Sequence, residues 1–216
     1  CVLACYNMMI PHLVPELPQE QKDALRQAAK APLVYSTVSL RNWRAIREVG
    51  LGAADCPGSF HQSVLLDYPV RMGGYELSDD PARPMIVTMI HVPLADRYGT
   101  PPREQFRQGR FKLLTMPFAQ FETSVKEHLA GMLGPTGFDP DRDIHAITVN
   151  RWAHGYAYQG SALYDPDVTA ERGPHMLGRR PLGRITIANW DAGARAYMDT
   201  AIDQAWRAVQ ELPVPS

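Results

Sequence analysis

The amino-acid sequence predicts a mixed α/β fold, in which a mixed β-sheet is flanked by helices. Its 216 residues are 45% apolar and 21% charged, which is the composition of a globular chain long enough to bury a core. Segments with the two-residue alternation of strands are interspersed with segments of helical spacing. They follow one another in the order β, α, β, β, β, α, β, loop, β, α, and this order predicts the fold class.

The first half of the chain contains one predicted helix and several predicted strands. Residues 1–5 form a short strand-like run, and a proline-containing loop then leads to a helix that begins near Pro18. Residues 33–40 alternate and are rich in β-branched side chains, which favours a strand. The segment 42–50 is compatible with a continuing strand or with a helical turn. Two further strands are predicted at 63–70 and 85–92.

The second half opens with a long helical region, 104–133, whose later part begins at Pro117. Residues 144–158 predict a strand that ends in an aromatic cluster. The segment 160–182 contains several glycines and prolines and predicts an irregular loop. The chain closes with a short strand, a turn of mostly small residues and an amphipathic helix, 183–212.

Charge, cysteines and histidines exclude several classes of function. The net charge is −1 and the pI about 6.7, so the chain lacks the basic surface of a protein that binds nucleic acid or an anionic membrane. No apolar run approaches membrane-spanning length. An odd number of cysteines, three, argues against a disulfide framework, and the seven histidines are scattered, so no metal site is expected.

Three stretches resemble the C-terminal half of a flavin-dependent amine oxidase, with most likeness to the bacterial branch that includes spermidine dehydrogenase. The first is VLACYNMMIPHLVPELP followed by STVSLRNW, and the second is GFDPDRDIHAITVNRWAHGYAY. The third is the closing GRITIANWDAGARAYMDTAIDQAWRAVQEL. Together they span nearly the whole chain in the order of the family.

The resemblance implies that the chain contains two kinds of domain. Residues 6–182 correspond to a substrate-binding domain, while 1–5 and 183–212 correspond to pieces of an FAD/NAD(P)-binding, Rossmann-like domain. The GxGxxG segment that holds the ADP half of FAD is absent from this chain, since the GLGAAD of 50–55 lacks the third glycine. The sequence begins with Cys1, so we expect a fragment of a longer polypeptide.

The closing turn is the predicted cofactor site. A tight turn through Gly193 lets a planar ring approach the backbone, and the unpaired N–H groups of the next helix favour an anion. The resemblance implies that Asn189 and Asp191 approach the ribityl chain of FAD, and that residues 196–198 approach the pyrimidine edge of the flavin. By itself the stretch is equally compatible with an ordinary capped surface helix. The predicted cofactor-binding residues are Asn189, Asp191, Gly193, Ala196, Tyr197 and Met198.

Aromatic residues form the predicted catalytic set. Members of the family flank the substrate amine with two aromatic rings in front of the flavin, and such faces attract a cationic nitrogen. Tyr158 or Tyr156 corresponds to the first ring, Tyr197 corresponds to the second, and Trp152 stands where the family has its tryptophan. The alternative for Trp152, Tyr156 and Tyr158 is a set of core aromatic residues at a strand end.

The proline-rich loop differs from the family pattern at one position. Many amine oxidases carry a lysine there, which holds a water near flavin N5, whereas this chain has Ile10 with His12 nearby. Residues 1–21 contain no lysine at all. This difference favours a dehydrogenase that passes its electrons to an acceptor other than oxygen.

The resemblance implies an FAD-dependent oxidoreductase that removes a hydride equivalent from a carbon next to an amine nitrogen. The implied substrate is a small amine, with a polyamine such as spermidine suggested by the branch. We expect this chain to be inactive without its N-terminal FAD-binding portion. The expected location is the cytoplasm or, if a twin-arginine leader lies upstream, the periplasm. Two alternatives remain open: a non-catalytic ligand- or partner-binding module that keeps the fold, and one chain of a split flavoenzyme.

Overall fold

A computed structural model describes residues 1–67, 72–74, 79–97, 99–161, 163–165 and 172–213. The chain divides into two compact units. The first unit is built from three segments, Cys1–Ala31, Leu94–Arg110 and His154–Ser216. The second is built from two, Pro32–Pro93 and Phe111–Ala153.

The described residues contain short and long elements of both kinds. The strands are β1 (Val2–Leu3), β2 (Ala31–Leu40), β3 (Ala53–Asp55), β4 (Ser63–Leu66), β5 (Met85–His91), β6 (Ile144–Tyr156) and β7 (Thr186–Ile187). The helices are α1 (Ile10–Leu13), α2 (Gln19–Arg26), α3 (Arg44–Val49), α4 (Pro102–Thr115), α5 (Phe118–Leu133), α6 (Pro140–Asp143), α7 (Pro174–Gly178) and α8 (Met198–Gln210). Single 3₁₀ turns cover Asn7–Met9, Gly134–Thr136 and Trp190–Gly193.

In the first unit, the two ends of the chain pair with each other. β1 and β7 form a parallel ladder in which Val2 lies opposite Thr186 and Leu3 opposite Ile187. Beside this ladder an apolar cluster includes Ile10 and Leu25, both fully buried. The predicted FAD-domain pieces, 1–5 and 183–212, therefore contact each other, although their assignment to such a domain stays a prediction.

Helix α2 holds the short helix α7 by side-chain and backbone contacts. Pro18 precedes α2 with an extended backbone, which sets its first turn. The buried amide of Gln21 donates to the backbone oxygens of Gly178, at 3.1 Å, and Arg180, at 2.6 Å. A side chain at Gly178 would come within 3.2 Å of Leu25, so close helix packing explains this glycine.

The second unit is organised by a five-stranded sheet of order β3-β4-β5-β2-β6, whose first three pairings are antiparallel. Thr37 of β2 lies opposite Thr88 of β5, and Val64 of β4 lies opposite Met89. β5 alternates strictly between buried and half-buried residues, so that one face lies in the core. Three residues of α5 enter that core, namely Val125, Leu129 and Leu133, while its Phe121 packs in a second cluster with Val34 and Leu113.

The predicted fold class is confirmed, and the differences lie in the short elements. The helical region 104–133 is two helices, α4 and α5, which separate immediately before Phe118, where Pro117 has an extended backbone. The ambiguous segment 42–50 contains a helix, α3, which ends at Gly50 in the left-handed conformation (φ 73°). Parts of the predicted strand and loop lie outside the described residues, namely 68–70, 162 and 166–171.

Candidate functional site

A cavity of about 400 Å³ in the first unit brings several predicted site residues together. Tyr156, Tyr158, Ala196 and Tyr197 all line it, and Phe106 of α4 adds a fourth aromatic ring. The two tyrosines of the strand end and the start of α8 are far apart in sequence, so the fold itself builds this aromatic lining. Their catalytic roles stay predictions.

Tyr158 is held by a charged cluster on its ring and its hydroxyl. The Arg103 guanidinium lies 4.2 Å from the ring centroid, and the ring of Phe106 meets its edge at 6.1 Å between centroids. The hydroxyl donates to Asp165 Oδ2 at 2.6 Å, while Arg103 Nη1 lies 2.5 Å from Asp165 Oδ1. The N–H of Ser161 also donates to Asp165, at 2.7 Å.

This cluster fixes the protonation of both groups. Burial, together with the hydrogen bond to Asp165, raises the pKa of Tyr158 to about 12. Burial alone would raise the pKa of Asp165, but hydrogen bonds from Tyr158 and Ser161 and the charge of Arg103 hold it below its usual range. At neutral pH Tyr158 is therefore a neutral phenol, suited to offer a ring face and unsuited to act as a base.

Tyr197 stands at the N-terminus of α8 with extended backbone, and its side chain is 57% exposed. The Arg195 guanidinium lies 5.4 Å from its ring centroid, so this ring, like that of Tyr158, already carries a cation. Within the described residues no side chain caps α8. The backbone N–H groups of its first turn, beginning at Met198, are therefore available to an acceptor.

Several side-chain hydrogen bonds hold the predicted turn around Asn189 and Asp191. Asn189 Oδ1 accepts from the N–H of Ala192 at 2.8 Å, and its amide donates to Cys5 O at 2.6 Å and to Asn7 Oδ1 at 2.9 Å. Asp191, only 3% exposed, accepts from the N–H of Asn7 at 3.1 Å and from the ammonium of Lys30. Both side chains shape the turn, and their predicted contact with a ribityl chain stays a prediction.

Gly193 has a packing reason that sequence reasoning missed. A Cβ at this position would lie 2.2 Å from the Cγ2 of Thr200, a buried residue of α8. The next residue, Ala194, adopts a left-handed backbone (φ 51°), which is rare for a residue other than glycine. The turn is thus tight because α8 folds back against it, which explains its small residues even without a ring in front.

Lys30 is the main residue that sequence reasoning missed. It ends the segment after α2, is 1% exposed, and places its ammonium 4.9 Å from the ring centroid of Tyr6 and 5.1 Å from that of Trp190. Burial lowers the pKa of Lys30, and the charge of Asp191 opposes that change. The sequence signal is a lysine inside the mostly apolar run AAKAPLVY, which lies beyond the proline-rich loop.

Two predictions remain, the role of Trp152 and the expectation that the chain has no metal site. Trp152 belongs to β6 in the second unit, where its side chain is 55% exposed, and its role beside a flavin stays a prediction. In the described part of the chain, no three His, Cys, Asp or Glu side chains converge as a metal site would require. Nor is any helix in that part long and apolar enough to cross a membrane.

No protein-family model matches the sequence, and no curated protein matches it. Solved structures do match. One is wild-type putrescine oxidase bound to putrescine, with a TM-score of 0.59 and 14% identity. Another is cyclohexylamine oxidase from Brevibacterium oxydans IH-35A, with a TM-score of 0.63 and 14% identity. Each match covers 97% of this chain and 41% of the other.

The chain thus spans about two fifths of the length of these structures. At this level of identity the likeness concerns the fold. It includes the five-stranded sheet with its flanking helices and both short strands at the chain ends, since nearly the whole chain is covered. The chain therefore has the fold of a portion of these amine oxidases.

Proposed function

We propose that the chain is the C-terminal portion of an FAD-dependent amine oxidoreductase, carrying the substrate-binding residues and the last strand and helix of the FAD-binding domain. The observation that carries this proposal is the aromatic cavity, where Tyr156, Tyr158 and Tyr197 converge as an amine site requires. The fold supports it independently, because the structures it matches include an oxidase of putrescine and one of cyclohexylamine.

The cavity binds the amine through ring faces. None of the nine described lining residues is acidic, and the nearby carboxylate of Asp165 is already paired with Arg103. Arg103 and Arg195 each lie over one face of these two rings. We propose that the opposite faces of Tyr158 and Tyr197 orient the substrate nitrogen, while the alanine and glycine positions leave room for its carbon chain. A polyamine such as spermidine is the substrate that the sequence resemblance suggests, and a monoamine is the competing class.

The residues of the first unit fit the ring end of a flavin. Such a ring is planar and rich in acceptors. Among the residues that the structure describes, the unit offers donors without a hydrogen-bond partner, namely the first N–H groups of α8, the buried Asn7 Nδ2 and the buried Thr186 hydroxyl. Ala196 and Tyr197 would meet the ring from the cavity side. When bound, the flavin accepts the hydride equivalent from the carbon next to the amine nitrogen.

The other residues of the cavity would position the substrate amine and shield it from water. Tyr158 keeps its proton, because its pKa lies near 12, and so it presents a neutral ring to the substrate. Arg103 and Asp165 hold that ring in one orientation. Tyr156 and Tyr197 are exposed in this chain. With the flavin and the fingerprint portion in place, the four aromatic side chains would shield the space in which the carbon–hydrogen bond is broken.

A second portion with the glycine fingerprint is part of the proposal, on the same chain or on a separate one. α8 leaves an apolar stripe exposed that includes Met198, Ile202 and Trp206. The β1–β7 ladder is only two residues long on each strand and parallel, and parallel strands belong to larger sheets covered on both faces. We infer that the fingerprint portion extends this ladder and covers the stripe.

The test is to purify this chain together with its fingerprint portion and to record the visible absorption spectrum. A bound-flavin spectrum that bleaches anaerobically with spermidine is expected, with cyclohexylamine added in parallel to compare the two amine classes. Tyr197→Leu is expected to slow bleaching at least tenfold, whereas Phe111→Leu, which changes an exposed aromatic residue of α4, leaves it unchanged.

Two outcomes would contradict the proposal at different levels. Flavin that binds but bleaches with neither amine would refute amine oxidation and leave the cofactor assignment. A complete protein that holds no flavin would refute the enzyme and favour the non-catalytic module.

A further inference from the structure

Lys30 is enclosed by the chemistry that an ammonium ion requires. Its nitrogen donates to the carboxylate of Asp191, with both side chains 1% exposed. The rings of Tyr6 and Trp190 lie at 4.9 and 5.1 Å from the same nitrogen. A buried ammonium without such partners is strongly disfavoured, so these three groups form a cage that keeps the charge inside the protein.

The cage joins three separate segments of the first unit. Tyr6 and the N–H of Asn7 come from the N-terminal loop, Lys30 immediately precedes β2, and Trp190 and Asp191 come from the predicted cofactor turn. The carboxylate of Asp191 joins them directly, because one oxygen accepts from Lys30 and the other from Asn7. The turn has its own internal bond from Ala194 N–H to Asp191 O at 3.1 Å, so fixing Asp191 also fixes Ala194.

We propose that Lys30 is a positioning residue: its ammonium fills a cage of Tyr6, Trp190 and Asp191, and thereby fixes the turn that leads into Ala196 and Tyr197. The cage is an ammonium-binding site in its own right and accepts a small alkylammonium ion when the lysine side chain is shortened. The importance of the turn for an amine site rests on the proposed function, but the cage itself does not.

The charge of Lys30, not its bulk, holds the turn. A neutral side chain of similar length would leave the carboxylate of Asp191 buried without a cation. Removing one partner of a buried ion pair in this way is strongly destabilising, because the other charge stays unpaired. Lys126 offers a contrast in the second unit, since it meets two carboxylates, Glu122 and Asp141, with its side chain 36% exposed.

The experiment uses this chain alone, without cofactor. Lys30→Ala removes three carbons and the nitrogen, the size of propylammonium. We expect it to lower the urea midpoint of unfolding and to speed hydrogen exchange at Ala192 and Ala194 at least tenfold. Millimolar propylammonium is expected to restore at least half of both losses, whereas 1-propanol, which lacks the charge, restores neither. Lys126→Ala should show no response to propylammonium.

A second variant keeps the test decisive if Lys30→Ala does not fold. Lys30→Met retains bulk and loses charge, and we expect it to be destabilised and to exchange faster at the turn. Adding Asp191→Asn to Lys30→Met is expected to recover part of the loss. Equal rescue by propanol, wild-type stability of Lys30→Met, or strictly additive losses in the double variant would each overturn the proposal. None of these outcomes depends on flavin binding, so failure here is separable from failure of the proposed function.

Discussion

Two amphipathic helices of similar length, α5 and α8, lie in opposite surroundings. Beyond the exposed Phe118 at its start, α5 buries a stripe of four apolar residues in the second unit, with Phe121 and Val125 at 0% exposure. Those of α8 are open, with Met198 at 79% and Trp206 at 71%. What α8 buries instead is small or polar, namely Ala208 and Thr200.

The difference shows which of the two helices needs a further protein surface to cover its apolar side. The apolar stripe of α5 is buried inside its own unit, so that stripe needs no further surface to cover it. α8 is docked to the first unit through its narrow polar and small-residue face, and its wide apolar face is left over. An exposed apolar face of this kind marks an interaction surface, which is why we assign it to the fingerprint portion.

The largest expected effect comes from removing a core side chain of α5. Leu129→Ala should lower the free energy of unfolding by about 2–5 kcal/mol, because the buried cavity it leaves is not refilled. The matched change on α8, Trp206→Ala, should stay within about 0.5 kcal/mol in this chain alone. Urea unfolding followed by circular dichroism measures both, and equal losses would remove the contrast between the helices.

Acid is the second way to sharpen the comparison, because α5 packs beside buried histidines. His61 is fully buried between Ser36 and Ser124, at 3.1 and 3.4 Å. Burial, aided by His91 and His128, lowers the pKa of His61 to about 3. Between pH 6.5 and 3 the unfolded chain therefore binds a proton that the folded chain does not, and stability falls as pH falls.

The expected loss is up to about 1.4 kcal/mol per pH unit from this one group within that window. The pKa values of His91 and His128 are also lowered by burial, so they add losses of the same sign. His61→Gln should flatten the dependence of the urea midpoint on pH, and the exposed His145→Gln should not. An unchanged slope in His61→Gln would show that this histidine charges in the folded state.

The smallest effects are expected from replacing two glycines, Gly193 in the turn that packs against α8 and Gly131 within α5. Gly193→Ala should cost about 1–3 kcal/mol, because the new methyl meets Thr200 Cγ2 at 2.2 Å. Gly131→Ala within α5 meets nothing within 4 Å and should gain about 0.5–1 kcal/mol. Adding Thr200→Ser, which removes the clashing methyl, should rescue Gly193→Ala. Calorimetric melting of the three variants tests this, and no rescue would mean that the turn resists alanine for another reason.

Sequence patterns predicted the regular parts of the fold and missed the short ones. β2 and β5 were visible because their alternation matches a half-buried sheet, and α5 because its apolar residues recur at helical spacing. β3 has only three residues and takes its conformation from pairing with β4, so no local pattern marks it. The spacing of α8 showed its apolar side, but spacing does not tell whether that side is covered.

The candidate site was predictable where its residues are neighbours in sequence. Tyr156 and Tyr158, and likewise Ala196 and Tyr197, were found as short clusters and meet in the cavity. Lys30 could not be found in that way, because its partner Asp191 lies 161 positions away and a lone lysine carries no motif. Arg103, beside Tyr158 from a distant helix, was missed for the same reason.

The segment layout of the two units has a consequence for the order of assembly during synthesis. The second unit has its last residue at Ala153 and strand β6 of its sheet ends at Tyr156, so the sheet is complete once that point has left the ribosome. The first unit needs His154 onward, and β1 waits for β7, more than 180 residues later. Once that sheet has formed, β2 and β6 are neighbouring strands, which shortens the loop that β1 and β7 must close.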